Sequence, residues 1–165
     1  MVIINYFKKF CYDVATFGGL GEWFIGGFIA SFFAVPLVLI GRALSYLMPS
    51  IFHWFILGFI VFAIIVIQVA YSSLEEKKDS VIVLDKMVGM IIALYGITIR
   101  MANWKVILVG YGCFFVLTLL KPLLLRSKFL HRIDHMSGVV GVLASDVIFG
   151  VITNLLLRLI LFLIK

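Results

Sequence analysis

The sequence predicts an all-α fold, a polytopic membrane helix bundle with about five membrane-associated helices. Of the 165 residues, 64% are hydrophobic and only 13% are charged, whereas a soluble domain is about half apolar and about a quarter charged. Long apolar runs recur along the chain, and a helix satisfies its own backbone hydrogen bonds in lipid. We expect one domain over residues 1–165, with no cleaved signal peptide.

Two predicted spans precede a charged loop. Residues 23–40 form a run without formal charge, and residues 51–70 form a second, more strongly apolar run. Residues 71–80 (YSSLEEKKDS) then form the most highly charged stretch of the chain. This order predicts two membrane helices, an exposed loop and a second half of the bundle.

Three further spans are predicted in the second half. Residues 81–99 and 106–120 are mainly apolar, and the latter run ends before Pro122, which cannot donate a backbone hydrogen bond. Residues 139–164 form the last span. Between these runs, residues 123–137 are basic, and we expect them at the membrane surface.

The charge distribution predicts an orientation for these spans. If the N-terminus is inside, most Lys and Arg residues outside the spans fall on the inner face, as the positive-inside rule requires. The C-terminus then lies outside. All eight carboxylates fall at or near the cytoplasmic face in this arrangement.

Two of these acids share a local pattern at the cytoplasmic ends of apolar spans. Asp85 is followed four positions later by Gly89, and Asp146 is followed by Gly150. Positions i and i+4 lie on one helix face, so each glycine lets a backbone or a ligand approach near an acid. We expect the two carboxylates to share one cation and the two glycines to meet at one helix crossing. Alternatively, each acid simply complements a helix dipole.

Carboxylates near basic residues suit phosphate chemistry. Magnesium takes one or two carboxylates together with phosphate oxygens, and it polarises the phosphoryl group. The basic residues of 121–135 would bind the phosphate, and the bilayer would supply a lipid substrate. Attraction to anionic lipid would explain the same basic segment without any catalysis.

Four ordered motifs over roughly residues 17–150 carry a family resemblance. They are a glycine-rich opening at 17–36, a Lys-Asp step leading to D-x-x-x-G at 78–89, Leu-Leu-Lys-Pro at 119–122 and a glycine-rich approach to Asp146 at 134–150. Together they resemble the bacterial phosphatidylglycerophosphatase A family. The chain departs from the family at Lys86, Thr118 and Ser145, where the family has acids.

The resemblance implies a magnesium-dependent phosphatase of phospholipid synthesis. Such an enzyme removes the terminal phosphate of phosphatidylglycerophosphate and leaves phosphatidylglycerol, at the cytoplasmic face of the bacterial inner membrane. By position, the retained acids and candidate catalytic residues are Asp79, Asp85, Asp134 and Asp146. Asp85 and Asp146 would hold Mg²⁺, with Asp79 or Asp134 as a further ligand or general base. Attack by water and a phospho-enzyme both stay open.

Lys121 is carried over in the same way, as a phosphate contact. Arg126 or Arg132, in the basic segment that follows it, would bind the phosphate as well. The expected partners are the membrane and a phospholipid substrate, with no nucleic acid, and the oligomeric state is left open. Two other functions compete with the enzyme: a catalytically weak homologue that binds anionic lipid, and a small transporter subunit, which would need polar residues at midplane depth.

Lys86 is the departure with the largest consequence. On a helix it lies about 100° around from Asp85, so its side chain need not face the metal. An outward Lys86 would extend to the interface, and Lys86→Glu would then change little. An inward Lys86 would repel magnesium and supply positive charge for phosphate, and Lys86→Glu would raise activity at low magnesium. The sequence leaves both directions open.

Overall fold

A computed structural model describes residues 2–23, 25–46, 48, 50–72, 81–97, 104–121 and 139–163. Within these ranges the chain contains α-helices and one 3-10 turn (Leu20–Glu22), and no strand. The helices are α1 (Val2–Ala15), α2 (Gly26–Ser45), α3 (Ile51–Tyr71), α4 (Leu84–Leu94), α5 (Trp104–Leu119) and α6 (Val139–Leu163). The predicted all-α fold is therefore confirmed.

Three of these helices, α2, α3 and α6, are long and apolar enough to cross a bilayer. α5 is apolar but shorter. Large apolar side chains such as Phe62, Ile65 and Leu155 point outward and are exposed, which suits a surface that faces lipid. These features indicate a membrane-associated protein and match the predicted spans at 23–40, 51–70 and 139–164.

The predicted span at residues 81–99 is too long. α4 covers only 11 residues, or about 16 Å, roughly half of the hydrocarbon thickness. It ends at Leu94, and Gly96 follows with a φ of 71°, in the left-handed region. α4 therefore lies within the bundle as a short buried helix. The N-in, C-out orientation assumed an odd number of spans, and it stays a prediction.

The sequence pattern also missed α1. Lys8, Lys9 and Asp13 interrupt the apolar residues of this segment, so it does not read as a membrane span. It is nevertheless a 14-residue helix with Cys11 and Ala15 buried on one side, and it packs against α3. The helix is amphipathic, and one apolar stripe is enough to hold it on the bundle.

α4 is the centre of the described bundle. Its most extensive contact is with α6, and its next most extensive is with α2. Asn154 of α6 fixes the end of α4, because its side-chain amide donates to the carbonyl oxygens of Ile92 (3.1 Å), Ala93 (2.9 Å) and Tyr95 (2.6 Å). The last carbonyls of a helix have no partner within it. The amide therefore ends α4 inside the bundle without leaving these groups unpaired.

Candidate functional site

The crossing of α4 and α6 is built on two glycines. A Cβ atom added to Gly89 would lie 2.6 Å from the carbonyl oxygen of Asp146, and one added to Gly150 would overlap the carbonyl oxygen of Gly89. No other residue type allows the two backbones to come this close. The prediction that Gly89 and Gly150 meet at one crossing is confirmed.

This close approach brings Asp85 and Asp146 to a common cation. The ammonium nitrogen of Lys86 lies 3.3 Å from both carboxylate oxygens of Asp85 and 3.9 Å from Oδ2 of Asp146. The side chains of the two acids are only 4% and 1% exposed. The expectation that one cation can serve both carboxylates therefore holds in the geometry, and the cation present is a lysine.

The structure thus resolves the direction of Lys86, which faces inward. Its side chain is 21% exposed, and its ammonium also donates to the carbonyl oxygen of Ile82 at 3.4 Å. The aliphatic stem passes Gly27 of α2, where any side chain would collide with it. Gly27 belongs to the glycine-rich opening motif, but its spacing alone gave no sign that it makes room for a lysine.

The two acids differ in how their oxygens are satisfied. Oδ1 of Asp85 accepts a hydrogen bond from the backbone N–H of Lys86 at 2.8 Å. Both carboxylate oxygens of Asp146 are buried and accept no hydrogen bond from the part of the chain that the structure describes. A buried carboxylate without donors is costly, so Asp146 has unused capacity to bind a cation or a donor.

A second lysine reaches the edge of this cluster. Lys121, at the end of α5, donates from its ammonium to Oγ of Ser145 at 2.7 Å. Ser145 is 1% exposed and directly precedes Asp146. The residue that the resemblance assigned to phosphate binding thus contacts Ser145, which is one of the three departures from the family pattern.

A cavity of about 120 Å³ opens beside Lys86, between α2 and α5. Its polar lining includes Lys86, Ser31 and Thr118, and its apolar lining includes Phe28 and Tyr111. The hydroxyls of Ser31 and Thr118 donate to carbonyl oxygens of their own helices, at 2.7 and 2.9 Å. Their oxygens keep acceptor capacity toward a donor in the cavity.

Four of the predicted site residues lie outside the described residues: Asp79, Arg126, Arg132 and Asp134. The structure therefore brings Asp85 and Asp146 together, with Lys121 in contact with Ser145, and does not place the other four. No group of three or more His, Cys, Asp or Glu side chains converges within the ranges that are described.

The described cluster fits a divalent cation in part. Two converging carboxylates, one of them with both oxygens unpaired, are the kind of donors that magnesium takes. The ammonium of Lys86 lies against the same two carboxylates. Asp85 and Asp146 could thus hold Mg²⁺.

Comparison with known proteins gives a match to a family model. No curated protein and no solved structure matches the chain. A model of the phosphatidylglycerophosphatase A family matches residues 14–161, nearly the whole chain, including the helix crossing with its acids and lysines. The chain therefore belongs to the phosphatidylglycerophosphatase A family.

Proposed function

We propose that this protein hydrolyses phosphatidylglycerophosphate to phosphatidylglycerol and inorganic phosphate in the bacterial inner membrane, with its site toward the cytoplasm. The single observation that carries the proposal is the convergence of Asp85 and Asp146 on one cation at the α4–α6 crossing. Family membership supplies the reaction class, since the matching family is named for this phosphatase activity. Apolar outer faces on the long helices suit a substrate that stays in the bilayer.

Each residue has a proposed task. Asp85 and Asp146 would hold Mg²⁺, and Asp79 or Asp134, outside the described residues, would serve as a further ligand or as general base. A bound magnesium ion supplies charge stabilisation to the phosphoryl oxygens. Lys121 would bind the phosphate, and its hydrogen bond to Ser145, the residue before Asp146, supports this role.

The remaining substrate contacts extend this arrangement. Arg126 and Arg132, in a basic segment outside the described residues, would add charge-assisted hydrogen bonds to the phosphate. The cavity between α2 and α5 would admit the headgroup beside Lys86, with its aromatic wall toward the acyl chains. Hydrolysis then breaks the phosphorus–oxygen bond to the glycerol, and water provides the hydroxyl group and the proton of the products.

Release of inorganic phosphate from phosphatidylglycerophosphate in detergent micelles tests the proposal, with and without Mg²⁺. Asp146→Asn should lower kcat/KM by about 100-fold or more, since it removes charge from the centre of the site. Asp13→Asn is the matched control, because Asp13 is an exposed acid on α1. If the wild-type protein releases no more phosphate than Asp146→Asn under either condition, the proposed activity is wrong.

A second candidate function has its own observation. Lys86, Thr118 and Ser145 replace three acids of the family pattern, and all three lie at the cluster or at the cavity beside it. A homologue that binds anionic lipid with little turnover would suit this more positive site. Vesicle binding by a protein that gives no phosphate release would favour this function.

A further inference from the structure

On the basis of the function proposed above, we propose that Lys86 is a tethered competitor of the divalent cation. Its ammonium contacts both Asp85 and Asp146, and the two acids could hold a metal together only when the lysine side chain turns away. The protein would then need more divalent cation than a site with an uncharged residue at position 86.

The contacts of Lys86 carry the first step. Its ammonium is within 3.3 Å of both Asp85 oxygens and 3.9 Å of Asp146, and it comes from the residue next to Asp85. A cation that contacts both carboxylates needs the space that this ammonium fills. Two positive charges in one buried site repel each other strongly, because the interior screens them less than water does.

The contacts of the two acids explain why the lysine competes with a metal but does not exclude it. Among the described residues, the ammonium of Lys86 lies closer to Asp85 (3.3 Å) than to Asp146 (3.9 Å). Asp146 keeps both of its oxygens without a hydrogen-bond donor among the described residues. Lys121 is directed to the hydroxyl of Ser145. Asp146 therefore still attracts a cation while Lys86 is in place.

The cavity provides a place for the displaced lysine. Lys86 forms part of the wall of the 120 Å³ cavity between α2 and α5. Gly27 has no side chain to block its stem, and the hydroxyl oxygens of Ser31 and Thr118 face the same space. A lysine has a flexible four-carbon stem, so its ammonium can move away from the carboxylates and into the cavity. There it would meet the phosphate of a bound headgroup.

Binding of Mn²⁺ to the full chain in detergent, followed by the electron paramagnetic resonance signal of the free ion, tests the inference without substrate. Lys86→Met keeps an unbranched apolar stem and removes the charge. It should bind Mn²⁺ at least about 10-fold more tightly than the wild type, the size of effect that one nearby charge has on a carboxylate. Lys105→Met is the control, since Lys105 is an exposed lysine at the start of α5, and its affinity should equal that of the wild type.

Equal Mn²⁺ affinity of the wild type and Lys86→Met, or no binding to either, would overturn the inference. The assay contains no lipid, so this result is independent of the phosphatase test: a protein that hydrolyses nothing can still show competition, and an active enzyme can fail to show it. Circular dichroism and gel filtration establish that each variant is folded.

If Lys86→Met does not fold, amine labelling of the wild type tests the inference instead. Acylation of Lys86, measured by mass spectrometry of the digested protein, should rise across the Mn²⁺ titration as the ammonium leaves the carboxylates. Lys105 should be labelled equally throughout, because it is exposed in both states. Lys86 labelling that is unaffected by Mn²⁺ would show that the metal does not displace the lysine, and the inference would be wrong.

Discussion

α3 and α4 are both apolar helices, but they use their apolar residues in opposite ways. α3 has 21 residues, and many of its large side chains, including Phe62 and Ile65, point outward. α4 has 11 residues, almost all of them buried, and it carries Asp85 at its start. Length and hydropathy therefore identify the helix that meets lipid, whereas burial together with charge and glycine identifies the helix that forms the site.

The difference follows from what drives packing in a membrane. Lipid chains are as apolar as leucine, so an outward leucine on α3 gains little by moving inside. Helices associate instead where small residues let the backbones touch, as at Gly89 and Gly150. A buried charged group such as Asp85 can be tolerated at such a crossing only if a neighbour compensates it, and Lys86 does so.

The largest expected effect is at the glycine crossing. Gly150→Ala should destabilise the protein by about 3 kcal/mol or more, because the new methyl group meets the backbone of Gly89 and neither helix can yield easily. Gly58→Ala is the matched control on α3, where an added Cβ meets nothing within 4 Å, and the better helix propensity of alanine should gain up to about 1 kcal/mol. Thermal unfolding in detergent, followed by circular dichroism, measures both.

Equal melting temperatures for Gly150→Ala and Gly58→Ala would show that the crossing is loose, and the contrast between the two helices would fail. If Gly150→Ala alone has a lower melting temperature and also loses Mn²⁺ binding, the crossing itself positions the acids.

The end of α4 offers the next largest effect. Asn154→Leu removes the amide that donates to two α4 carbonyls and to that of Tyr95, and it should cost about 2 kcal/mol, since the carbonyls of Ala93 and Tyr95 lose this donor. Gln68→Leu is the control, because Gln68 is an exposed amide on α3, and the change should be nearly silent. Chemical unfolding in mixed micelles compares the two. An Asn154→Leu protein as stable as Gln68→Leu would mean that α4 ends for other reasons.

The residues of the crossing could be predicted from the sequence because their spacing follows helix periodicity. Two D-x-x-x-G elements place an acid and a glycine on one face of each helix, whatever the neighbouring loops do. Asp85, Gly89, Asp146 and Gly150 were found in this way, and the structure brings them together. The family resemblance added Lys121, which the structure places beside Ser145.

Other features depended on tertiary contacts that a single sequence does not specify. The direction of Lys86 depends on the space beside Gly27, which belongs to another helix. The length of α4 depends on Gly96 and on the amide of Asn154, although the apolar run continues to residue 99. α1 was missed because charged residues interrupt its apolar sequence, so the single buried stripe with Cys11 and Ala15 does not stand out in hydropathy.

A smaller effect is expected at the edge of the cluster. Ser145→Ala removes the hydroxyl that accepts from Lys121 and should raise the KM for phosphatidylglycerophosphate about 3- to 10-fold, the cost of roughly one hydrogen bond. kcat should change less, because the acids are untouched. Steady-state phosphate release measures both constants, and Ser72→Ala, at an exposed serine after α3, is the control. A fall in kcat with KM unchanged would show that Ser145 acts on Asp146 and not through Lys121.

The smallest effect is expected where an apolar side chain faces lipid. Leu155 and Leu157 both lie on α6, but Leu155 is 61% exposed and Leu157 is 1% exposed, with its side chain against Gly110 of α5. Leu155→Ala should shift stability by about 0.5 kcal/mol or less, because lipid chains fill the vacated space, whereas Leu157→Ala should cost about 2–5 kcal/mol by opening a cavity. Thermal unfolding of both variants in the same detergent measures this difference within one helix. A large loss for Leu155→Ala would mean that this face is covered by protein, and the outward faces of the long helices could no longer be assigned to lipid.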